Sequence, residues 1–255
     1  MMRSDWLFSG WILLVCALAL LAPWLAPYDP LTQNLPRQLE APSAEHWLGT
    51  DFFGRDLLSR LLYGGRATLL MGLAASLLSA GLGVGLGALA SLEIPLLTFW
   101  IERLLESLLA LPSLLIALVA ITLLGSSQSS VILALGLSGV GVYGSTARDH
   151  LRHILAQPYI EGAVSLGASR PYILWAYVWP NARPQLVTFW GVMFTWALLN
   201  GSALTFLGFV PNPDDPNWGV MLAAGRQTFL HAPYEALSAG VALTLTIGAL
   251  NRLTG

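Results

Sequence analysis

The chain has 255 residues, 55% hydrophobic and only 10% charged; soluble domains carry roughly 25% charged residues, so the composition is that of a polytopic membrane protein. A formal net charge of −2 argues against a nucleic-acid partner. All twelve Lys-or-Arg positions are Arg, which excludes Schiff-base and Walker-type lysine chemistry, and the single Cys16 cannot form a disulfide within the chain.

A spanning helix needs about 20 mostly apolar residues, and Trp6 to Ala26 supplies the first such stretch, with Cys16 inside it as a packed apolar thiol. Arg3 and the Ala17-Leu18-Ala19 triplet resemble a signal peptide. The apolar region nevertheless exceeds a signal's core of roughly 7–15 residues, which favours an uncleaved anchor. From Tyr28 to Arg66 the chain is polar and carries Pro30, Pro36 and Pro42, as an extramembrane segment does. It ends in an amphipathic piece, Leu57 to Leu62, suited to the membrane interface. Residues 1–66 therefore form an N-terminal unit (helix, extracytoplasmic segment and interfacial helix), ahead of a core at 67–255. Ala67 to Leu92 is the second expected span. Its glycine run, Gly81 to Gly87, superficially looks like a dinucleotide loop, but no strand or later ribose-binding acid accompanies it. Small residues at close helical spacing read instead as a surface for helix–helix approach.

The third span starts near Phe99 and holds Glu102, Arg103 and Glu106 in its first turns, either at headgroup level or facing a partner subunit. Gly125 to Ser130 divides the uncharged run from Ser107 to Ala147 into two helices joined by a polar turn. Pro184 to Val210 is the fifth span. A loop from Pro211 to Trp218 and an irregular stretch to Glu235 follow, and then a short sixth span, Ala236 to Leu250, closed by Arg252. The expectation is thus an all-α protein of about six transmembrane helices, with both termini on one side. Arg3, Arg103, Arg148, Arg152, Arg170, Arg183 and Arg252 fall on that side, and Arg37, Arg55, Arg60, Arg66 and Arg226 on the other. The excess points to cytoplasmic termini.

Chemistry is sparse. His150 and His153 can share a helix face beside Arg148, Asp149 and Arg152, yet no third ligand follows and the arginines oppose a cation. A solvated helix end is the simpler reading. No nucleophile elbow and no His-Glu-x-x-His occurs, which leaves a transporter, a channel or a membrane scaffold. The segment 148–184 is more informative. Pro158 suits a first helical turn, Glu161 sits favourably at the positive end of that helix, and Gly167 can take the left-handed conformation that ends it. Ser169 can cap a second helix that tolerates Pro171 in its first turn and ends before Pro180. Two short helices hinged at Gly167-Ala168 would present a defined surface to a soluble partner.

Glu161-Gly162-Ala163, Gly167 and Tyr177-Val178-Trp179-Pro180 resemble, at unchanged spacing, the Glu-Ala-Ala loop of ABC importer permeases; Gly162, Tyr177 and Trp179 depart from its usual residues. His46 to Asp51, then Gly54-Arg55-Asp56, Ser59-Arg60 and Gly64, resemble the HxLGTDxxGRDxxSRxxxG signature of the C-type permeases of dipeptide, oligopeptide and nickel importers. Leu204 to Gly208, Pro211, Pro213 and Trp218 to Leu222 resemble that family's third block. The loop from Ser91 to Thr98 is shorter than the family's, and its Gly-Asp-x-Leu-Arg tail has no counterpart here.

The resemblance implies a type I importer permease fold with cytoplasmic coupling helices, in a bacterial inner membrane and in contact with its lipid. It implies a second permease subunit, two ATPase subunits that hold ATP and Mg, and an extracytoplasmic substrate-binding protein. The chain itself would hold no cofactor or metal and would not be an enzyme. Glu161, Gly162, Ala163, Gly167 and Arg170 would meet the ATPase. Asp51, Asp56, Asp214, Asp215 and Trp218 would face the binding protein. Di- or oligopeptides are the first expected substrate class and nickel or a metal chelate the alternative; a non-transporting scaffold is the competing class.

Overall fold

Lipid offers backbone N–H and C=O groups no partner, so a chain that crosses it folds into segments that satisfy themselves, above all α-helices. The computed structural model describes residues 3–125, 127–210 and 212–254, which form helices and no strand beyond an isolated Thr50–Asp56 bridge. Ser126 of the expected turn and Pro211 of the expected loop lie outside the described residues. Helix α1 (Arg3–Leu20) and the short α2 (Ala22–Leu25) are followed by an irregular strap, residues 26–56. Then come α3 (Leu57–Ala90), α4 (Pro95–Ala110), α5 (Ser113–Leu124) and α6 (Gln128–Leu155). Next are α7 (Pro158–Ser165), α8 (Arg170–Ile173), a π-helical segment (Leu174–Val178) and α9 (Trp179–Phe206). Helices α10 (Trp218–Thr228) and α11 (Pro233–Thr254) complete the described chain.

Among the described residues, four stretches are long and apolar enough to span a membrane: α3, α6, the continuous run Arg170–Phe206 and α11. A fifth is the pair α4 and α5, bent by 98°; Leu111-Pro112 forms the break because proline cannot continue the hydrogen-bond ladder. The apolar part of α1, Trp6–Leu20, is shorter than a span. Several expected boundaries move. The piece Leu57 to Leu62 is not a separate interfacial helix but the opening of α3, because Asp56 caps it and Leu57 and Arg60 are buried. The third span begins at Pro95 rather than near Phe99, with proline in the first turn. The fifth begins far ahead of Pro184, at Arg170, and the sixth extends to Pro233 and Thr254. The irregular stretch after Trp218 contains helix α10.

Helices α3 and α6 make the most extensive pairing. A β-carbon on Gly83 would lie 2.9 Å from the Gly144 nitrogen, and one on Gly87 would lie 2.7 Å from the Gly144 oxygen. The Ser79 hydroxyl adds an interhelical hydrogen bond to the Gly136 oxygen at 2.7 Å. Close backbone approach and polar contacts of this kind hold helices together where the solvent is as apolar as the side chains. Gly81 and Gly85, on another face, meet nothing within 4 Å.

At the opposite end of α3 a buried polar network pins the strap. Asp56 caps α3, accepting from the Ser59 nitrogen at 2.8 Å and the Ser59 hydroxyl at 2.7 Å, while its other oxygen meets His46 Nδ1 at 2.9 Å. Asp51 accepts from Arg55 Nε at 2.6 Å and lies 3.5 Å from Arg60 Nε. Arg60 Nη1 reaches the Pro30 oxygen at 3.0 Å and the Asp214 oxygen at 3.1 Å, so one guanidinium joins strap, α3 and the loop before α10. The Tyr234 hydroxyl of α11 donates to the Leu39 oxygen at 2.6 Å. Asp51 and Asp56 are therefore internal, contrary to the expectation that they face a binding protein. Trp218 is internal too: its indole covers Gly65 and donates to the Leu61 oxygen at 3.0 Å.

Two stability predictions follow from this geometry, both read as thermal unfolding of the detergent-purified protein. Gly87→Val is expected to cost about 1–3 kcal/mol by overpacking, and Gly85→Val to leave the midpoint unchanged. Asp51→Ala removes the carboxylate that Arg55 and Arg60 share, leaving the buried Arg60 with backbone carbonyls and Arg55 with the exposed Asp214, and is expected to cost about 3–5 kcal/mol. Asp215→Ala, at an exposed carboxylate, is expected to be neutral.

Candidate functional site

The segment after α6 folds into a helical hairpin whose geometry follows from a few residues. Pro158 occupies the first turn of α7, where its missing N–H costs nothing, and Glu161 stands in the same turn, exposed. At the other end the Ala168 nitrogen bonds to the Ala163 oxygen at 3.0 Å and the Gly167 nitrogen to the Val164 oxygen at 2.9 Å. This pair is a Schellman cap, and it requires a left-handed residue, supplied by Gly167 at φ +81°. The chain turns there into α8. Ser169 stands at the N-cap position in extended conformation, but its side chain makes no capping hydrogen bond, contrary to the capping role expected for it.

The second helix does not stop before Pro180. It continues through a π-helical segment in which the Trp179 nitrogen bonds to the Leu174 oxygen, five residues back, and then through Pro180 and Pro184 to Phe206. The wider turn moves aside the carbonyl that a proline ring would strike in a regular α-helix. The Asn181 side chain donates to the Tyr177 oxygen at 2.6 Å and satisfies an acceptor in the disturbed ladder. The hairpin is thus rigidly continuous with a membrane span on its second arm.

Its two faces differ. Ile160 and Ala163 of α7 are buried in a cluster with Leu151, Ile154, Ile173 and Val178, which glues both arms to the base of α6. Glu161, Gly162, Val164 and Leu166 point outward, Leu166 being 90% exposed, and a β-carbon on Gly162 would meet nothing within 4 Å. Gly167 and Arg170 are exposed as well. Of the five residues expected to form the docking surface, four are exposed, while Ala163 packs inward.

Two features escaped the sequence reading. Tyr177 lies between Tyr159 of α7 and Tyr172 of α8, with ring centroids 6.3 and 6.0 Å away, so a departure from the motif bridges the two arms. The charges on α4 also find specific partners: Arg152 Nη1 donates to Glu102 Oε1 at 2.8 Å, whereas Arg103 pairs with Glu106 at 2.7 Å on the surface. Arg148 and Arg152, four apart on one helix face, were the available signal. At the far end of the bundle, Asp214 and Asp215 are exposed; Asp214 accepts from Arg55 Nη1 at 2.9 Å and Asp215 from the Asn212 amide at 3.1 Å. The hairpin and these acids are separated by the length of the 34-residue α3.

Comparison with known proteins agrees with this arrangement. Residues 69–254 match the model of the binding-protein-dependent transport system inner membrane component, and residues 6–42 match the N-terminal TM domain of oligopeptide transport permease C. The chain is 35% identical over 246 residues to the di/tripeptide transport system permease protein DppC of Pseudomonas aeruginosa, covering 94% of this chain and 81% of that protein. It is 32% identical over 243 residues to the glutathione transport system permease protein GsiD of Pectobacterium atrosepticum, covering 95% and 81%. It is 30% identical over 236 residues to the dipeptide transport system permease protein DppC of Alkalihalophilus pseudofirmus, covering 92% and 78%. With its several apolar spans and a family match over most of its length, the chain belongs to the inner membrane components of binding-protein-dependent transport systems, the multi-pass permeases of ABC importers.

Proposed function

We propose that this permease forms half of the translocation pathway of a peptide importer and that its hairpin is the element that receives work from an ATPase. The observation that carries the reading is the Schellman-capped hairpin. Its inner face is fixed to α6 and its outer face, with Glu161, Val164 and Leu166, is open. A helix glued on one side and bare on the other passes a push to the spans behind it instead of deforming.

In this reading α1 and α2 together make a sixth crossing, so the hairpin and both termini are cytoplasmic, and the other half of the pathway comes from a second permease subunit. Two ATPase subunits hold ATP and Mg, and this chain binds neither and hydrolyses nothing. Glu161, Gly162, Gly167 and Arg170 touch the ATPase, and Ala163 holds the helix in place. Closure of the ATPases displaces α7 as a rigid body and tilts α6 and α9, which switches the pathway between its two faces. The binding protein docks at the other end, where Asp214 and Asp215 are exposed. The relatives named above serve di/tripeptides, glutathione and dipeptides, which supports a short-peptide cargo over nickel or a metal chelate.

Gly167→Val forces a β-branched residue into the left-handed region, at a cost of roughly 1–2 kcal/mol. In the assembled complex it is expected to lower transport about tenfold or more, and Glu161→Arg, which sets a cation at a positive helix end, to act in the same direction. Unchanged transport and unchanged ATPase stimulation in both variants would refute the coupling role. For the cargo, the cognate binding protein is expected to gain about 2.7 kcal/mol in thermal stability from a di- or tripeptide at a hundred times its Kd. Stabilisation by nickel alone would reverse the assignment.

A further inference from the structure

Only Ala156 and Gln157 separate α6 from α7, so whatever grips the end of α6 decides what a displaced coupling helix can move. The grip is built from two arginines one turn apart. Arg152 Nη1 donates to Glu102 Oε1 at 2.8 Å, and Arg148 Nη1 lies 3.7 Å from the same oxygen. The second terminal nitrogen of Arg152 donates to the Ala90 oxygen at 3.1 Å, at the end of α3, where unpaired carbonyls and the helix dipole favour a cation. Glu102 and its arginines thus tie the ends of α3 and α6 to the middle of α4. They are partly sheltered, with side-chain exposures of 27% for Glu102, 17% for Arg148 and 33% for Arg152. The neighbouring Arg103–Glu106 pair is 61% and 50% exposed and belongs to the class of surface pairs worth little.

Beyond Glu102, α4 runs to the 98° break at Leu111-Pro112 and continues as α5. Leu105 and Leu108 of α4 lie against Gly144 and Gly141 of α6, where α6 contributes no side chain of its own and the leucines rest on its backbone. Ala117 and Ile121 of α5 pack with Val131 and Leu135 of α6 and with Ala197 and Leu204 of α9. The broken span is therefore joined to α6 by charge at its hairpin end and by apolar packing past the break. A helix interrupted at proline can change the angle between its halves without unpairing a regular ladder.

From this we infer that Glu102 is a positioning residue of the transport cycle. Through Arg152 and Arg148 it carries displacement of the coupling helix from α6 into the broken span α4–α5, so that both halves of the span follow ATPase closure. The inference rests on the coupling role proposed for the hairpin. If Glu102 merely stabilised the fold, its loss would lower the unfolding midpoint and leave the ATP consumed per substrate imported unchanged. If it transmits movement, the stoichiometry itself changes.

The test uses the complete transporter, with its second permease, ATPases and binding protein, reconstituted in liposomes with a dipeptide as cargo. Glu102→Gln preserves shape and removes the charge. It is expected to raise ATP hydrolysed per peptide imported about fivefold or more. Arg152→Gln is expected to do the same, and the double variant to be no worse than either single one, as for partners in one interaction. Arg103→Gln is expected to behave as the unaltered protein. Unaltered stoichiometry in Glu102→Gln, or additive defects in the double variant, overturns the inference. If Glu102→Gln does not assemble, Arg152→Gln and Arg148→Gln decide the matter by the same readout. Gly167→Val in the same assay separates the two levels: uncoupling there with normal stoichiometry in Glu102→Gln leaves the hairpin's role standing and removes that of Glu102. Normal stoichiometry in Gly167→Val removes the hairpin's role and the route built on it.

Discussion

Helices α3 and α6 approach so closely that the backbone of one occupies the space where the other's β-carbons would be, and the arrangement of the remaining elements depends on that contact. Within lipid there is no hydrophobic gain from pairing two apolar helices, so close packing and a few polar bonds must supply the attraction. Gly83 and Gly87 allow the approach, and the Ser79 hydroxyl reinforces it across the interface. With α6 held there, its Tyr143 hydroxyl reaches the Leu186 oxygen at 2.6 Å and sets the position of α9. The same placement brings Arg152 within reach of the end of α3 and starts the hairpin from a fixed base.

The two ends of α3 solve different problems. At one end the strap has no core of its own, and it is secured by buried polar groups: Asp51 faces Arg55 and Arg60, Asp56 is held by His46 and Ser59, and Arg60 joins segments distant in sequence. Such networks are poor sources of net stability but costly to break, which makes them suited to holding one geometry. At the other end the hairpin keeps only its inner face covered. Rigidity there comes from a backbone cap and an apolar cluster, so the outer face stays available to a partner.

The hairpin was legible because its signals are local. Pro158, Glu161 and Gly167 act through backbone conformation and helix dipole within a turn or two, and the structure shows each of them at the intended place. The fate of the prolines was not legible in the same way. Pro112 breaks a span and Pro180 does not, although both follow apolar helical stretches, because the π turn before Pro180 absorbs the missing bond and no such turn precedes Pro112. Asp51 and Asp56 read as loop charges because nothing nearby in sequence announces their burial. The groups that enclose this corner of the strap include His46, Arg60 and the loop at Asp214.

By itself the sequence determined that the protein is helical and lies in a membrane, where its polar interruptions fall, which residues turn the hairpin, and which family pattern it follows. These properties depend on composition, periodicity and backbone preferences that act over a few residues. Only the tertiary structure decided that the opening of α3 is internal, that α8 and α9 form one continuous arm, and that Glu102 is shared by Arg148 and Arg152. Those outcomes depend on which groups distant along the chain meet across a gap of a few ångströms, and glycine contacts between whole helices set that distance.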